Sequence, residues 1–255
     1  AARLLAGVAA RLGLDARCVF AAYEDVYYYL WRERQLPVNV DPVDSRLADP
    51  LERERLRRLF EGGLDEVRGH VLPVARAKEA DTWRTSRWHF RGGHCFLVPG
   101  DSPLGLRLPL ESKPWVSPAD VDPGGVPDPA EERPPLEAHE ELSKKRRPGR
   151  APDDRVPEVG ESAAWVARTA LCAEPRGGVL YVFMPPVDTA DDYVSLVAAI
   201  EASAAEIGVP VILEGYTPPR DGRIAHLSVT PDPGVIEVNI HPAASWGELV
   251  DHTLH

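Results

Sequence analysis

Glu237, Asn239, His241 and His226 are the residues whose types and spacing most suggest chemistry. They fall in the stretch Ile224 to His241, IAHLSVTPDPGVIEVNIH, which alternates apolar and polar residues on both sides of Pro231-Asp232-Pro233-Gly234. Alternation around turn residues predicts a β-hairpin. With those four residues as the loop, Ser228 falls opposite Glu237, His226 opposite Asn239, and Val229 opposite Ile236. One face then carries Ala225, Leu227, Val229, Ile236, Val238 and Ile240, and the other His226, Ser228, Glu237, Asn239 and His241. A carboxylate, an amide and two imidazoles, with no Lys or Arg among them, make a face suited to a cation or a phosphoryl group. An antiparallel sheet that wets one face is also polar there, so the pattern equally suits a solvated surface.

The rest of the chain must position that hairpin, and its composition limits the possible partners. With 255 residues, 44% of them hydrophobic, it can bury a core of one large or two small domains. A net charge of -11 argues against a general nucleic-acid or anionic-membrane binder, because phosphate affinity comes mostly from clustered Lys and Arg. No apolar run reaches membrane-spanning length and no signal-peptide pattern opens the chain, and cysteine usage makes a reducing cytoplasm the default compartment. Cys18, Cys95 and Cys172 are odd in number and far apart, so neither a disulfide framework nor a cysteine metal site is indicated. The chain opens inside the helical pattern AARLLAGVAARLGL and stops in a helix begun at Ser245, so it reads as an internal piece of a longer protein.

Periodicity predicts a helix over residues 1–13, a second from about Ala16 to Gln35 with an aromatic run at Tyr27 to Trp31, and a third over Leu51 to Glu61. All-round aromatic character predicts burial of the second on more than one side. Strands are predicted at Val67 to Val74, Trp88 to Arg91, His94 to Val98 and Leu106 to Leu110, with a Gly92-Gly93 hairpin turn. From Ser117 to Gly160 the chain holds nine of its 26 prolines and no Phe, Trp or Tyr. Such a segment buries too little apolar surface to order itself, so it reads as a linker or insertion. The division expected is 1–116, an N-terminal α+β region; 117–160, the linker; and 161–255, the second region.

In that second region a strand from Arg168 to Glu174 places Arg168, Ala170, Cys172 and Glu174 on one face. Strand Val179 to Met184 follows, then a helix Ala190 to Ile207 capped by Thr189 and stopped by Gly208, and a strand Val211 to Tyr216 containing Glu214. The order predicts an α+β fold with a largely antiparallel sheet and helices on one side.

The stretches YEDVYYYLWRERQLPVNVDP, FLVPGDSPLGLRLPL, RTALCAEPRGGVLYVFMPP and VTPDPGVIEVNIHPAASW resemble a bacterial amidoligase family of large proteins, in which a transglutaminase-like domain precedes the amidoligase region. That region is considered similar to glutamine synthetase and other ATP-dependent carboxylate–amine ligases. The resemblance implies an incomplete glutamine-synthetase-like fold over 161–255, binding of ATP with Mg2+ or Mn2+, and a substrate pair of a free carboxylate and an amine, either small molecules or peptides. ATP would phosphorylate the carboxylate, and the amine would then displace the phosphate. The resemblance makes Glu237 and Glu174 catalytic and metal-binding, with Glu214 a further metal candidate flanked by Ile212 and Tyr216 on its own face. Asn239, His241 and His226 would contact phosphate or support the metal ligands, and Arg168 would orient an anionic substrate or form an edge ion pair. It also implies that the remaining domains of the parent chain are partners, and that part of the nucleotide-binding segment lies beyond this chain.

Two other classes fit the same residues. One is a noncatalytic peptide-binding or scaffolding region whose contact surface is Tyr27 to Trp31 with Trp83 and Trp88. The other is a metal-dependent hydrolase built on Glu237, His226 and His241, for which Zn2+ would suit the imidazoles. None of the three cysteines has the setting of a nucleophile.

Overall fold

The computed structural model describes all residues except 41–65, 78–81, 100–105, 122–132, 146–150, 233, 241 and 255. The predicted helix Leu51 to Glu61 lies outside the described residues. Eleven strands are present among them. They are β1 (Phe20–Glu24), β2 (Val67–Pro73), β3 (Ala75–Arg76), β4 (Trp83–Arg84), β5 (Cys95–Pro99), β6 (Leu106–Arg107), β7 (Ala170–Arg176), β8 (Val179–Met184), β9 (Val211–Gly215), β10 (Ser228–Asp232) and β11 (Val235–Asn239). The helices are α1 (Ala2–Leu12), α2 (Val26–Glu33), α3 (His139–Lys144), α4 (Ala190–Ile207) and α5 (Trp246–Leu254). The fold is α+β.

Seven strands form one sheet in the order β6-β5-β1-β2-β7-β8-β9. Pairing is antiparallel except for β1 with β5 and β8 with β9. The β2–β7 ladder, which sets His70 opposite Ala173 and Leu72 opposite Leu171, joins the regions before and after 117–160 into one sheet. The larger core draws on residues of both regions.

Alternation along β7 and β8 decides what lies on each side. Leu171, Ala173, Leu180, Val182 and Met184 face α1 and α4, where they meet Leu4, Leu5, Val8, Leu196 and Ile200 in the larger core. Helix α4 starts and ends where its residues predict: Thr189 accepts a hydrogen bond from the Asp192 amide, and Gly208 closes the helix at φ 69°. Gly7 lets α1 lie close to α4, since a Cβ there would sit 3.1 Å from Ser203 Oγ. On the opposite face of the sheet a smaller core gathers Ala22, Val71, Trp88, Cys95, Leu97, Ala163 and Val166.

Three expectations change. The segment read as one helix from Ala16 to Gln35 is a 3-10 turn at Ala16–Cys18, then β1, then the short helix α2. Buried β1 runs through the middle of the sheet, and an apolar run of five residues does not distinguish helix from strand by period. The aromatic run is not buried: Tyr27 and Trp31 of α2 are exposed, whereas Trp83 and Trp88 lie in the cores. Trp88 to Arg91 is not a strand, so Gly92-Gly93 does not close the predicted hairpin; β5 instead pairs in parallel with β1. Among the described residues of 117–160, α3 packs on α4, Arg11 Nη1 donates to Ser143 O at 3.2 Å, and Arg223 Nη1 donates to Pro134 O at 2.7 Å.

The hairpin forms as a separate two-stranded sheet. Its register is Ser228 opposite Asn239, Val229 opposite Val238 and Thr230 opposite Glu237, so only residues 233 and 234 separate the strands. The predicted four-residue loop was too long by two, because Pro231 and Asp232 extend β10. A slip of two residues keeps each side chain on its face. The apolar face is nevertheless exposed, with Ile236 at 75% and Val229 at 56%. Fully buried Leu171 and exposed Ile236 therefore predict opposite outcomes: Leu171→Ala costs about 2–5 kcal/mol in urea unfolding, and Ile236→Ala shifts the midpoint by less than about 0.5 kcal/mol.

Candidate functional site

On the open face of the sheet, opposite α1 and α4, a cavity of about 450 Å3 lies over β1, β2, β7, β8 and β9 and is bounded by β5 and β6. Its walls are mainly apolar, with Val71, Leu97, Leu106, Leu108 and Phe183 prominent. Charge enters at four lining residues: Arg68, Arg107, Glu174 and Glu214.

Strand alternation brings the two glutamates there. Cys172, Glu174 and Arg176 share a face of β7; Glu174 pairs with Tyr181 and Cys172 with Phe183 on β8; and Phe183 pairs in turn with Glu214 on β9. Arg176 joins the carboxylates. Its guanidinium stacks over the Tyr181 ring at 3.7 Å, Nη2 donates to Glu214 Oε1 at 2.5 Å, and Nε lies 3.6 Å from Glu174 Oε2. At that longer distance Nε makes no hydrogen bond, so attraction to Glu174 is electrostatic.

A second ion pair flanks the first. Tyr23 pairs with Val67 while Ala22 pairs with Gly69, so Arg68 is the extra residue of a β-bulge. Bulges re-aim side chains, and Arg68 here lines the cavity with its Nε 2.7 Å from Oε2 of buried Glu24 and Nη1 3.0 Å from Glu66 Oε1. Gly69 must lack a side chain: a Cβ would sit 2.8 Å from Ala173 O.

The predicted site residues divide. Glu174 and Glu214 come together through Arg176. Glu237 and Asn239 lie on the exposed hairpin, where Asn239 Nδ2 donates to Glu237 Oε1 at 3.0 Å. His226 is exposed and precedes β10, and His241 lies outside the described residues. None of these hairpin residues lines the cavity, and neither does Arg168. Arg168 instead holds the strap before it, donating from Nη1 to Pro114 O at 2.9 Å while its own carbonyl accepts from Lys113 Nζ at 2.6 Å.

Arg176, Arg68 and Glu24 escaped the sequence reading. Arg176 lies two residues beyond Glu174 on the same face, a signal hidden by ending the predicted strand at Glu174. Glu24 was placed on a helix, where its alignment with a strand neighbour could not be seen.

Burial pushes the Cys95 and Cys172 thiols up to about 12, with Cys95 and Glu174 adding to the rise at Cys172. Both are neutral at physiological pH, and a neutral thiol is a poor nucleophile. Among the described residues no three His, Cys, Asp or Glu side chains converge as a metal-ligand set. Glu174 and Glu214 are the carboxylates among the described residues that line the cavity.

The whole chain, residues 1–255, matches the family described as "Putative amidoligase enzyme (DUF2126)". The chain belongs to this family. Membership supports an amidoligase-like, ligase-type function in general terms. No curated protein matches the chain, and no solved structure does. Among the described residues no helix is long and apolar enough to cross a membrane.

Lys113, buried beneath the strap with its ammonium 5.1 Å from the Trp88 ring, is held down to about 8 by burial and then by Arg168. The unfolded chain keeps that proton up to the ordinary value of 10.5. Between these values the unfolded state binds more protons, so Lys113's contribution to stability rises with pH. Urea unfolding across pH 8 to 10 is expected to show this slope, and Lys113→Met to flatten it.

Proposed function

We propose that this chain forms the acidic sheet of an ATP-dependent carboxylate–amine ligase, which makes an amide or peptide bond through an acyl phosphate on the substrate's carboxylate. The observation carrying this reading is the pairing of Glu174 with Glu214 across one guanidinium, at the edge of a mainly apolar cavity. Carboxylates fixed on a sheet are rigid oxygen ligands, and hard divalent cations prefer oxygen. Glu174 and Glu214 would hold Mg2+ or Mn2+, which would supply charge neutralisation on the transferred phosphoryl group. Arg176 balances the two carboxylates when no metal is bound, and its N–H groups not donated to Glu214 suit phosphate oxygens. Gly69 and Ala22 keep the cavity floor low, so a substrate body can approach the sheet.

Under this reading the hairpin brings Glu237 as a further carboxylate, with Asn239 and the histidines beside it as polar support. The remaining domains of a longer parent protein, a transglutaminase-like one included, complete the site. The glutamine-synthetase-like superfamily assignment rests on the resemblance of the sequence and on the mixed, largely antiparallel sheet with helices on one face.

A second reading, a scaffold that binds peptides or neighbouring domains, has one observation in its favour. Tyr27, Leu30 and Trp31 on α2, together with Val229, Ile236 and Val238 on the hairpin, expose more large apolar side chains than a solvated surface needs. Trp83 and Trp88, being buried, contribute nothing to it.

Calorimetric titration of ATP with Mg2+ into the chain, and into the longer protein that carries it, separates these readings. Metal-dependent binding that falls at least tenfold in Glu174→Gln/Glu214→Gln is the ligase result, with a smaller loss in Glu237→Gln. Folded wild-type protein that binds no nucleotide in either form overturns it and leaves the scaffold.

A further inference from the structure

We propose that the β10–β11 hairpin is a hinged flap, which closes by adding β11 to the open edge of β9 and so brings Glu237 onto the cavity face beside Glu214. Among the described residues β9 ends the seven-stranded sheet. An edge strand offers unpaired N–H and C=O groups, and proteins blunt such edges with Lys, Pro or bulges. β9 has none of these: Val211–Gly215 pairs in unbroken register with β8 and leaves Ile212 and Leu213 exposed.

The hairpin is the complementary piece. A lone two-stranded ribbon is marginally stable in water until it packs on something, and β11 is exposed at every residue. The faces match across the seam. Leu213 pairs with Val182 and so belongs to the helix side of the sheet, whereas Glu214 pairs with Phe183 on the cavity side. In the hairpin Val229, Ile236 and Val238 share one face, and Thr230, Glu237 and Asn239 the other. Setting Ile236 and Val238 beside Leu213 continues the apolar side and leaves Glu237 on the side of Glu214. Pro231 decides which strand meets the sheet: a proline cannot donate to a second neighbour, so β10 stays outside and β11 lies against β9.

The tether permits this move. Because β9 runs parallel to β8, both finish near where α4 begins. At that end Arg223 Nη2 holds Asp191, in the first turn of α4, at 2.6 Å and Asp221 at 2.8 Å. Residues 224–227 alone separate this clasp from β10. Four extended residues span about 13 Å, more than the roughly 10 Å of two strand spacings. The structure shows the flap open, and like charge keeps the closed form a minority, since Glu237 approaches Glu214 and neighbouring carboxylates repel. Such a minority leaves the unfolding midpoint to the open form, in which Ile236 is exposed.

The inference rests on the ligase reading only for the purpose of closure, the delivery of Glu237 to the site; closing itself requires neither metal nor nucleotide. Its test is disulfide trapping. Leu213 is the middle residue of β9 and Glu237 of β11, so full overlap places Ile236 or Val238 opposite Leu213. Leu213→Cys is combined in turn with Ile236→Cys, Val238→Cys, Glu237→Cys and Asn239→Cys, all at exposed positions, and oxidation is followed by mass spectrometry of the linked peptides. A disulfide needs Cα atoms within about 7 Å and side chains aimed at one another. One of the first two pairs is therefore expected to link within a monomer at least tenfold faster than either of the last two, whose thiols lie on opposite faces. Adding Glu237→Gln to the linking pair is expected to raise its rate at least threefold. Equal linking on both faces describes a loose tether, linking only between chains describes a dimer, and no linking describes a fixed hairpin. Each of these overturns the proposal, as does a rate unchanged by Glu237→Gln. Face-selective linking in a protein that binds no ATP with Mg2+ keeps this inference and removes the ligase reading; nucleotide binding without such linking does the reverse.

Discussion

Pairing of β2 with β7 is the contact on which the rest of the structure depends. It is made between strands separated by nearly a hundred residues of chain, and it can form closely only because Gly69 leaves room for the Ala173 carbonyl. Once it exists, Leu72 and Leu171 meet on one side of the sheet and take α1 and α4 as their cover. On the other side Val71 and Cys172 meet, and they become part of the wall of the smaller core and of the cavity. A long intervening segment raises the entropy of closing that contact only slowly with length, so the burial gained on both faces can outweigh it. Core and cavity are thus two consequences of one ladder.

The charged groups of the open face follow the same economy of partners. Each arginine is set between two carboxylates: Arg68 with Glu24 and Glu66, Arg176 with Glu174 and Glu214. The Glu24–Arg68 pair is the more buried, and losing one member alone would strand a charge at a cost of about 3–5 kcal/mol. The second pair is partly exposed, with Arg176 and Glu174 each 27% accessible, so water screens it and its members can change partners. The first arrangement is therefore a buried charge pair within the sheet, and the second a screened one at its edge.

What could be read in the sequence, and what could not, divides along local and nonlocal information. Helix α4 and strand β8 match their predicted bounds because Thr189, Gly208 and the Val179 to Met184 alternation are local signals. The faces of the Ile224 to His241 hairpin also follow from local alternation, although Pro231 inside β10 disguised the loop length. By contrast, β1 was read as helix because a five-residue buried strand has no period of its own; its identity comes from neighbours β2 and β5. The same gap governs the site. Glu174 and Glu214 were identifiable singly, but their meeting through Arg176 depends on β8 lying between their strands, and Arg68 reaches the cavity through a bulge that has no sequence signature.

Separation of Glu237 from the cavity bears on how the chemistry could be organised. Hairpin and sheet carboxylates do not share a cluster among the described residues, while the polar face of the hairpin adds an amide already bonded to its own glutamate. A Zn2+ site on Glu237, His226 and His241 would need three side chains held rigidly, yet His226 sits on exposed chain outside the strands. Mg2+ makes no such demand. It retains waters and shares its ligands with phosphate, so two fixed carboxylates can begin a site that substrate phosphates and a third carboxylate complete. Under the ligase proposal, Glu174 and Glu214 on the sheet would begin such a site and Glu237 would add the further carboxylate.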